Sequence, residues 1–95
     1  MKGEGSYKAA KGLIRVKIIV QEEKIRDVTI SGDFFMYPED SLWKLETALR
    51  GLPPNMEAVR AQLEDFYAKN GVLSPGLKPE DFAEAIYRAL ATLLS

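Results

Sequence analysis

The chain has 95 residues, which suits one domain but not two, because folded domains cluster at roughly 100 to 150 residues. It contains no Cys and no His, which excludes disulfides, Cys or His zinc sites and every Ser-His or Cys-His catalytic pair. The formal net charge of -1 argues against a protein whose main task is to neutralise nucleic-acid phosphates or an anionic membrane surface. We therefore expect neither nucleic acid nor a membrane as a partner.

The charges are unevenly distributed along the chain. Residues 1–20 carry five basic side chains and one acidic side chain, whereas residues 37–95 carry six basic and nine acidic ones. No apolar run approaches the ~18 residues that a membrane span requires, and the N-terminus lacks the apolar stretch of a signal peptide. We expect a cytoplasmic protein, and the lack of Cys fits a reducing compartment.

Residues 1–10 are rich in Gly, Ser and Lys and offer no apolar face to a core. Such a segment has little to bury and is ordered only if a neighbour holds it. The sequence therefore predicts a flexible N-terminal segment over residues 1–10 and a single domain over residues 11–95.

A period-2 pattern begins at Gly12 and predicts a half-buried strand. Its apolar side consists of Ile14, Val16, Ile18 and Val20. The polar residues 21–24 can reverse the chain, and a second β-branched segment over 25–30 follows them. We predict an antiparallel hairpin, without a turn type because the reversal has no Asn-Gly or Gly-Gly.

One edge of this hairpin stays unpaired unless a partner supplies a strand. Leu13 and Ile19 lie on the face away from the helices that follow. Together the open edge and the two exposed apolar residues indicate a docking surface. The alternative is that Ile19 contacts the loop at 72–78.

After Phe35 the apolar period changes from 2 to 3.6, which predicts amphipathic helices. Their predicted ranges are about 38–50, about 56–70, and from 79 almost to 95. The boundaries are marked by Pro38 and Pro79 at first helical positions, by Asn55 as an N-cap, and by glycines past the helix ends. The predicted fold class is α+β: a two-stranded antiparallel hairpin, open to extension by a further strand, packed against three helices in the order β-β-α-α-α.

The densest motif is Ser31-Gly32-Asp33-Phe34-Phe35, where the hairpin leads into the first helix. Gly32 can adopt a backbone conformation closed to other residues, and Asp33 can accept hydrogen bonds from main-chain N–H groups two or three residues on. Phe34 and Phe35 point to opposite sides if the segment is extended. These residues favour a structural role for the Asp33 carboxylate, and a contact with a metal or a partner is the alternative.

Three motifs follow one another along the chain. They are Lys8-x-x-Lys11-Gly12-Leu13-Ile14-Arg15-Val16, Ile25-x-x-Val28-Thr29-Ile30-Ser31-Gly32-Asp33-Phe34-Phe35 and Leu45-Glu46-x-x-Leu49-x-Gly51. Together they resemble the C-terminal accessory domain of lipoate-protein ligase, over about residues 8–94. In that family a catalytic domain makes lipoyl-AMP from lipoate and ATP and passes the lipoyl group to a lysine of an acceptor protein. Some members, mostly archaeal, divide the two domains between separate chains, and this chain looks like the small subunit of such a bipartite ligase.

The resemblance implies an accessory subunit that is non-catalytic alone and forms a heterodimer with the catalytic large subunit, so that lipoyl-AMP can form. The docking residues it implies are Gly32, Asp33, Phe34 and Phe35. It also implies that Lys8 and Lys11 support activation by approaching the polyphosphate of ATP. ATP, Mg²⁺ and lipoate are expected on the catalytic subunit, and this chain alone is expected to bind no cofactor and no metal. Lipoyl-acceptor domains of 2-oxo acid dehydrogenases, or the glycine cleavage H protein, are the implied indirect partners.

Two alternatives stay open. Lys8 and Lys11 are also typical of a solvated N-terminal segment without a catalytic role, and their residue types favour that interpretation. The whole chain could instead be a non-enzymatic interaction module that pairs its β-edge with an unrelated partner. An independent enzyme is disfavoured, because the chain lacks a Gly-rich phosphate loop as well as Cys and His.

Overall fold

The computed structural model describes residues 1–93 and shows three antiparallel strands followed by three helices. The elements are β1 (Lys2–Ala9), β2 (Gly12–Gln21), β3 (Lys24–Gly32), α1 (Ser41–Leu49), α2 (Met56–Asn70) and α3 (Pro79–Ala91). The sheet order is β1-β2-β3, and the helices cover one face of the sheet. The predicted α+β class, with a hairpin extended by a further strand, is confirmed.

Residues 1–10, which the sequence predicts to be a flexible segment, contribute the whole of β1. This strand pairs with β2 along its full length. Gly3 and Gly5 face α3, and a Cβ on either glycine would overlap main-chain atoms of Ala89. The glycines therefore allow the helix to lie directly on the strand. This corrects the expected boundary at residue 10, because β1 is part of the folded domain and the element order is β-β-β-α-α-α.

The hairpin of β2 and β3 closes through a two-residue turn at Glu22 and Glu23. Their φ angles are +53° and +62°, which is the left-handed region on both central residues and defines a type I′ turn. The sheet also contains one irregularity in register, between Ile19 and Val20 of β2. Ile19 is half-buried on the outer face of the sheet, next to Lys2 and Asp27 in the register, and not against the loop at 72–78.

The first helix begins later than predicted. Pro38 follows a cis peptide bond after Tyr37, and α1 starts at Ser41, whose N–H donates to the Pro38 carbonyl at 2.9 Å. Pro38 therefore lies in the turn before the helix and not at its first position. The polar residues between them form this turn.

The second and third helices begin where their caps predict. The Asn55 side chain accepts a hydrogen bond of 2.8 Å from the Ala58 N–H, and Gly71 ends α2 in the left-handed conformation. Pro79 is the first residue of α3. The described part of α3 ends at Ala91, and the last two residues of the predicted range, 94 and 95, lie outside the described residues.

The hydrophobic core lies between the inner face of the sheet and the helices. Its largest fully buried side chains are Phe82, Ile14, Ile18, Ile25, Leu45, Leu49, Leu63, Ile86, Val16, Val28 and Val59. They come from all three helices and from two strands, so the chain has one continuous core. In residues 1–93 no helix combines the length and the apolar character needed to cross a membrane.

The outer edge of β3 is closed by the chain itself. The main-chain N–H groups of Ile25, Val28 and Ile30 point away from β2. The Ile25 N–H donates to the Leu52 carbonyl at 2.8 Å. The Val28 N–H donates to Oδ1 of Asp27 at 3.0 Å, and the Ile30 N–H donates to Oε2 of Glu46 at 2.7 Å. Because these donors have acceptors within the fold, β3 offers little to an incoming strand.

Candidate functional site

The Gly32–Phe35 motif lies at the end of β3, beside the turn that joins β1 to β2. Gly32 has a φ of +151°, and a Cβ on it would overlap the Leu13 carbonyl oxygen, so both backbone and space favour glycine. The Asp33 N–H donates to the same oxygen at 2.9 Å. The main chain of the motif is therefore attached to the start of β2.

The carboxylate of Asp33 is exposed and accepts no hydrogen bond from residues 1–93. The expectation that it caps main-chain N–H groups further along the chain is wrong, because only its main-chain N–H is engaged. The carboxylate is thus left to solvent or to a partner. In the part of the chain that the structure describes, no three acidic side chains are grouped in a way that could hold a metal ion.

The two phenylalanines point in opposite directions, as predicted. The Phe34 ring stands edge-on to the Phe82 ring, with 5.3 Å between centroids and an interplanar angle of 83°. Phe82 is fully buried, so Phe34 is anchored in the core. Phe35 has 72% of its surface exposed. A fixed segment therefore presents a large aromatic ring to solvent.

The exposed ring is continued by two further apolar side chains. Tyr37 and Leu73 form an isolated antiparallel bridge, with N–H to O distances of 2.7 and 2.9 Å. Their side chains lie on the same face of the bridge, and Phe35 shares the side of Tyr37 because the two are two residues apart in an extended segment. Tyr37 is 49% exposed and Leu73 66% exposed. We call these three residues, Phe35, Tyr37 and Leu73, the apolar patch.

A shallow cleft of about 420 Å³ lies beside the apolar patch. It is lined by Phe34, Phe35, Met36, Tyr37, Glu39 and Leu42. Trp43, the next residue on α1, is 64% exposed. Scattered apolar residues on a surface are ordinary, but several large ones around one cleft are typical of a surface that meets another protein.

The loop that carries Leu73 is fixed by a small polar network. The Oγ of the buried Ser74 donates to the Leu77 carbonyl at 3.0 Å, and the Tyr67 hydroxyl donates to that Oγ at 2.8 Å. Burial raises the pKa of Tyr67 above its ordinary value, the hydrogen bond with Ser74 acts in the opposite direction, and the charge of Asp81 raises it further. Tyr67 is therefore a neutral donor that holds the loop to α2.

The two lysines of the first motif lie at the same end of the molecule. Lys8 is exposed on the outer face of β1, opposite Leu13 in the register. Lys11 is exposed in the turn between β1 and β2, and its aliphatic stem lies against Gly76, where a Cβ would overlap it. Neither ammonium group forms an ion pair with any residue from 1 to 93.

The fold thus brings the two sets of site residues predicted from the sequence, the Gly32–Phe35 motif and the two lysines, to the same end of the molecule. Gly12, which follows Lys11, lies so close to the Asp33 carbonyl that a side chain there would overlap it. The end of β1 with Lys8, the turn with Lys11, the Gly32–Phe35 motif and the loop after α2 therefore form one surface at one end of the sheet. This surface combines unpaired cations, an unpaired carboxylate and the apolar patch.

The chain is similar to known proteins over most of its length. Residues 4–86 match the family model described as the bacterial lipoate protein ligase C-terminus. The chain belongs to this lipoate-protein ligase C-terminal family. A relative from Thermoplasma acidophilum, named lipoate-protein ligase A subunit 2, is 48% identical over 81 residues, which cover 85% of this chain and 83% of the relative. The resemblance to the family that the sequence suggests is confirmed.

A solved structure supports the same assignment. It comes from a structural study of an archaeal lipoylation system, a bi-partite lipoate protein ligase and its E2 lipoyl domain from Thermoplasma acidophilum. The TM-score is 0.83 at 46% identity, and the match covers 90% of this chain and 94% of the other. At this identity the similarity extends beyond the fold to the sequence that builds it.

The structure explains the third motif of this lipoate-protein ligase C-terminal chain. Leu45 and Leu49 are buried in the core, and the Glu46 carboxylate accepts the Ile30 N–H at the edge of β3. Gly51, with a φ of +88°, donates its N–H to the Ile25 carbonyl at 2.8 Å. The motif therefore attaches α1 to the outer strand and has a structural role.

Sequence reasoning missed Tyr37 and Leu73 as parts of the site. Their bridge joins two segments far apart in the chain, and no local pattern marks such a pair. In the structure Phe34 to Tyr37 alternates inward and outward as an extended segment does, and so does Val72 to Ser74. The sequence Phe-Phe-Met-Tyr is apolar throughout, so no alternation of apolar and polar residues marks the first of these segments.

Proposed function

We propose that this chain is the accessory subunit of a bipartite lipoate-protein ligase. It docks on the catalytic subunit and enables ATP-dependent formation of lipoyl-AMP, after which the lipoyl group passes to a lysine of an acceptor protein. The proposal is supported by family membership and by the relative named as subunit 2 of such a ligase. The observation on this chain that carries it is the apolar patch beside the unpaired Asp33 and Lys11.

Docking uses the apolar patch together with the Gly32–Phe35 motif. Phe35 is the central anchor, because a large aromatic ring that becomes desolvated at the centre of an interface commonly contributes most to affinity. The exposed Asp33 carboxylate then meets a hydrogen-bond donor or a cation of the catalytic subunit. Gly32 keeps the main chain of the motif against the start of β2, because a side chain there would overlap the Leu13 carbonyl oxygen.

Activation takes place on the catalytic subunit, which binds ATP, Mg²⁺ and lipoate. A lipoate carboxylate oxygen attacks the α-phosphorus, the bond to the β-phosphate oxygen breaks, and pyrophosphate leaves. The accessory subunit orders and closes this pocket and excludes water from the reactive acyl-adenylate. Lys8 or Lys11 supplies positive charge to the departing pyrophosphate, and Lys11 is the better placed because its stem is held against Gly76. The complex is expected in the cytoplasm.

The test is to mix the purified chain with the catalytic subunit and to measure lipoyl-AMP and pyrophosphate. We expect neither product from this chain alone and adenylate formation when both are present. Product formation by this chain alone would refute the proposal, and so would a rate of adenylate formation by the catalytic subunit that is the same with and without this chain.

Phe35→Ser should weaken binding to the catalytic subunit by roughly tenfold or more and lower adenylation in parallel, as loss of an interface anchor does. Tyr87→Ser is the control, since Tyr87 is another exposed aromatic residue, with 49% of its surface exposed, but lies on α3, outside the apolar patch.

The lysines need a separate readout. Lys8→Gln and Lys11→Gln should lower the adenylation rate at saturating subunit concentration while leaving the affinity between subunits nearly unchanged. Lys24→Gln, an exposed lysine beside the turn at the opposite end of the sheet, is the control. Equal loss of affinity and rate would place the two lysines in the interface instead, and no loss of either would leave them as solvated side chains.

A second candidate function is an interaction module that uses its sheet edge to bind an unrelated protein. The observation that favours it is the outer edge of β1, where most main-chain polar groups have no partner among residues 1–93. The mixing experiment separates the two functions, because an unrelated module leaves adenylate formation unchanged.

A further inference from the structure

The outer edge of β1 can be assigned residue by residue. Met1 and Val20 exchange two main-chain hydrogen bonds, both of 2.8 Å. In an antiparallel ladder such pairs alternate with pairs whose N–H and C=O groups point away. With the observed register, the residues of β1 whose main-chain groups point outward are Lys2, Glu4, Ser6 and Lys8.

These outward groups are almost entirely free. Among residues 1–93, the one bond they receive is from Nη1 of Arg88 to the Ser6 carbonyl, at 3.2 Å, and that oxygen keeps a second lone pair. The edge of β3, in contrast, has acceptors for the outward N–H groups of Ile25, Val28 and Ile30. A row of unpaired donors and acceptors along an extended strand is a template for the addition of another strand.

The charges along β1 indicate what that added strand is. If β1 pairs antiparallel with β1 of a second copy about a twofold axis at Ser6, Glu4 lies opposite Lys8 of the second copy, and the symmetry forms this pair twice. Outward residues then meet outward residues, as the ladder requires. A twofold axis at Gly5 would instead place Lys2 opposite Lys8 of the second copy, so that two positive charges would face each other. An axis at Glu4 would place Glu4 opposite Glu4 of the second copy, so that two negative charges would face each other. Opposite charges thus select one register over its neighbours.

Both members of the pair are available. Glu4 and Lys8 are exposed on the outer face of the sheet, and neither forms an ion pair with another residue of the described chain. We propose that the free chain forms a homodimer through β1, antiparallel and centred on Ser6, so that two sheets join into one of six strands. The dimer is formed by this chain alone, so the proposal does not depend on the ligase function.

The first test blocks the ladder without touching the fold. Ser6→Pro removes an outward N–H that takes no part in the β1–β2 ladder, and proline is tolerated on an edge strand where its nitrogen faces solvent. Sedimentation velocity over a range of concentrations should show a reversible dimer for the unsubstituted chain and for Ser6→Ala, and a monomer for Ser6→Pro. Circular dichroism checks that the variant is folded.

The second test uses charge and does not rely on proline. Glu4→Lys and Lys8→Glu each oppose like charges twice, so each variant alone should dimerise roughly tenfold more weakly. An equal mixture of the two variants restores both attractive pairs and should associate at least as strongly as the unsubstituted chain. Weakening in both single variants together with recovery in the mixture is expected for the register centred on Ser6, because with an axis at Glu4 residue 8 has no residue opposite it and Lys8→Glu would have no such effect.

Three results would overturn the proposal. They are no concentration-dependent association of the unsubstituted chain, association of Ser6→Pro equal to that of Ser6→Ala, and a mixture of charge variants no stronger than either variant alone. If the chain is monomeric and Ser6→Pro fails to bind the catalytic subunit, the edge belongs to that subunit and not to a second copy.

Discussion

A single methyl group on the inner face of β1 should strongly destabilise the domain. In Gly5→Ala the new Cβ would meet only main-chain atoms of α3, the Ala89 nitrogen, the Arg88 carbonyl carbon at 2.7 Å and the Ala89 Cα at 2.9 Å. Main chain cannot rotate away as a side chain can, so helix and strand must separate by roughly 1 Å to reach ordinary contact. Overpacking of this kind costs about 1–3 kcal/mol.

An opposing effect reduces this cost. Alanine restricts the unfolded chain more than glycine does, which stabilises by about 0.4–1 kcal/mol. We therefore expect Gly5→Ala to lower the free energy of unfolding by ~1–2 kcal/mol. For a domain of this size the melting temperature should then fall by roughly 5–15 °C.

The assay is urea denaturation of Gly5→Ala beside Ser6→Ala. Ser6 is the neighbouring residue on the same strand, but its side chain is exposed, so its substitution should change the free energy of unfolding by less than about 0.5 kcal/mol. If Gly5→Ala is as stable as Ser6→Ala, β1 does not pack on α3, and the N-terminal ten residues are the flexible segment that their composition predicts. That result would refute the reasoning.

Three further predictions concern single contacts. Because Glu22 and Glu23 both have positive φ angles, Glu22→Asn combined with Glu23→Gly should raise the free energy of unfolding by ~1 kcal/mol or more in denaturant titrations. The Glu46 carboxylate accepts the Ile30 N–H, so Glu46→Ala should lower stability by about 1–2 kcal/mol in the same assay, whereas Glu46→Gln, which keeps an acceptor, should recover most of it. The raised pKa of Tyr67 means that the folded chain holds this proton more tightly than the unfolded chain, so the stability it contributes is present below its ordinary pKa of 10.0 and is lost as pH rises through the folded pKa. Thermal melts of Tyr67→Phe should therefore show a smaller decline with pH above 10.0 than those of the unsubstituted chain, and an equal decline would contradict the assignment.

Much of the fold follows from local patterns. The helix α2 begins and ends at Asn55 and Gly71 because a side-chain cap and a left-handed glycine act on their own neighbours. The strand β2 follows from β-branched residues at period 2, and β3 from a second segment rich in β-branched residues. Such features depend on contacts only a few residues apart, and a sequence displays them directly.

The features that could not be predicted depend on contacts between distant segments. On the face that meets α3, β1 places Gly3 and Gly5 beside Tyr7, and the small size that the two glycines provide for close packing carries no hydrophobic signal. The bridge between Tyr37 and Leu73 needs the whole core to bring its two halves together. In both cases the missing information is the position of a helix or loop from the other end of the chain.

The docking motif shows how the buried and exposed parts of one segment depend on each other. Alternation predicts that Phe34 and Phe35 point apart, but only the ring of Phe82 decides which of them is held inside. With Phe34 anchored on one side of Phe35, and Tyr37 tied to Leu73 on the other, the main chain that carries the exposed ring is fixed before any partner arrives. Fixing the backbone of one residue costs about 1–2 kcal/mol, and a segment held in this way avoids that cost on binding. The interior contacts of the motif thus contribute to affinity for a partner that they never touch.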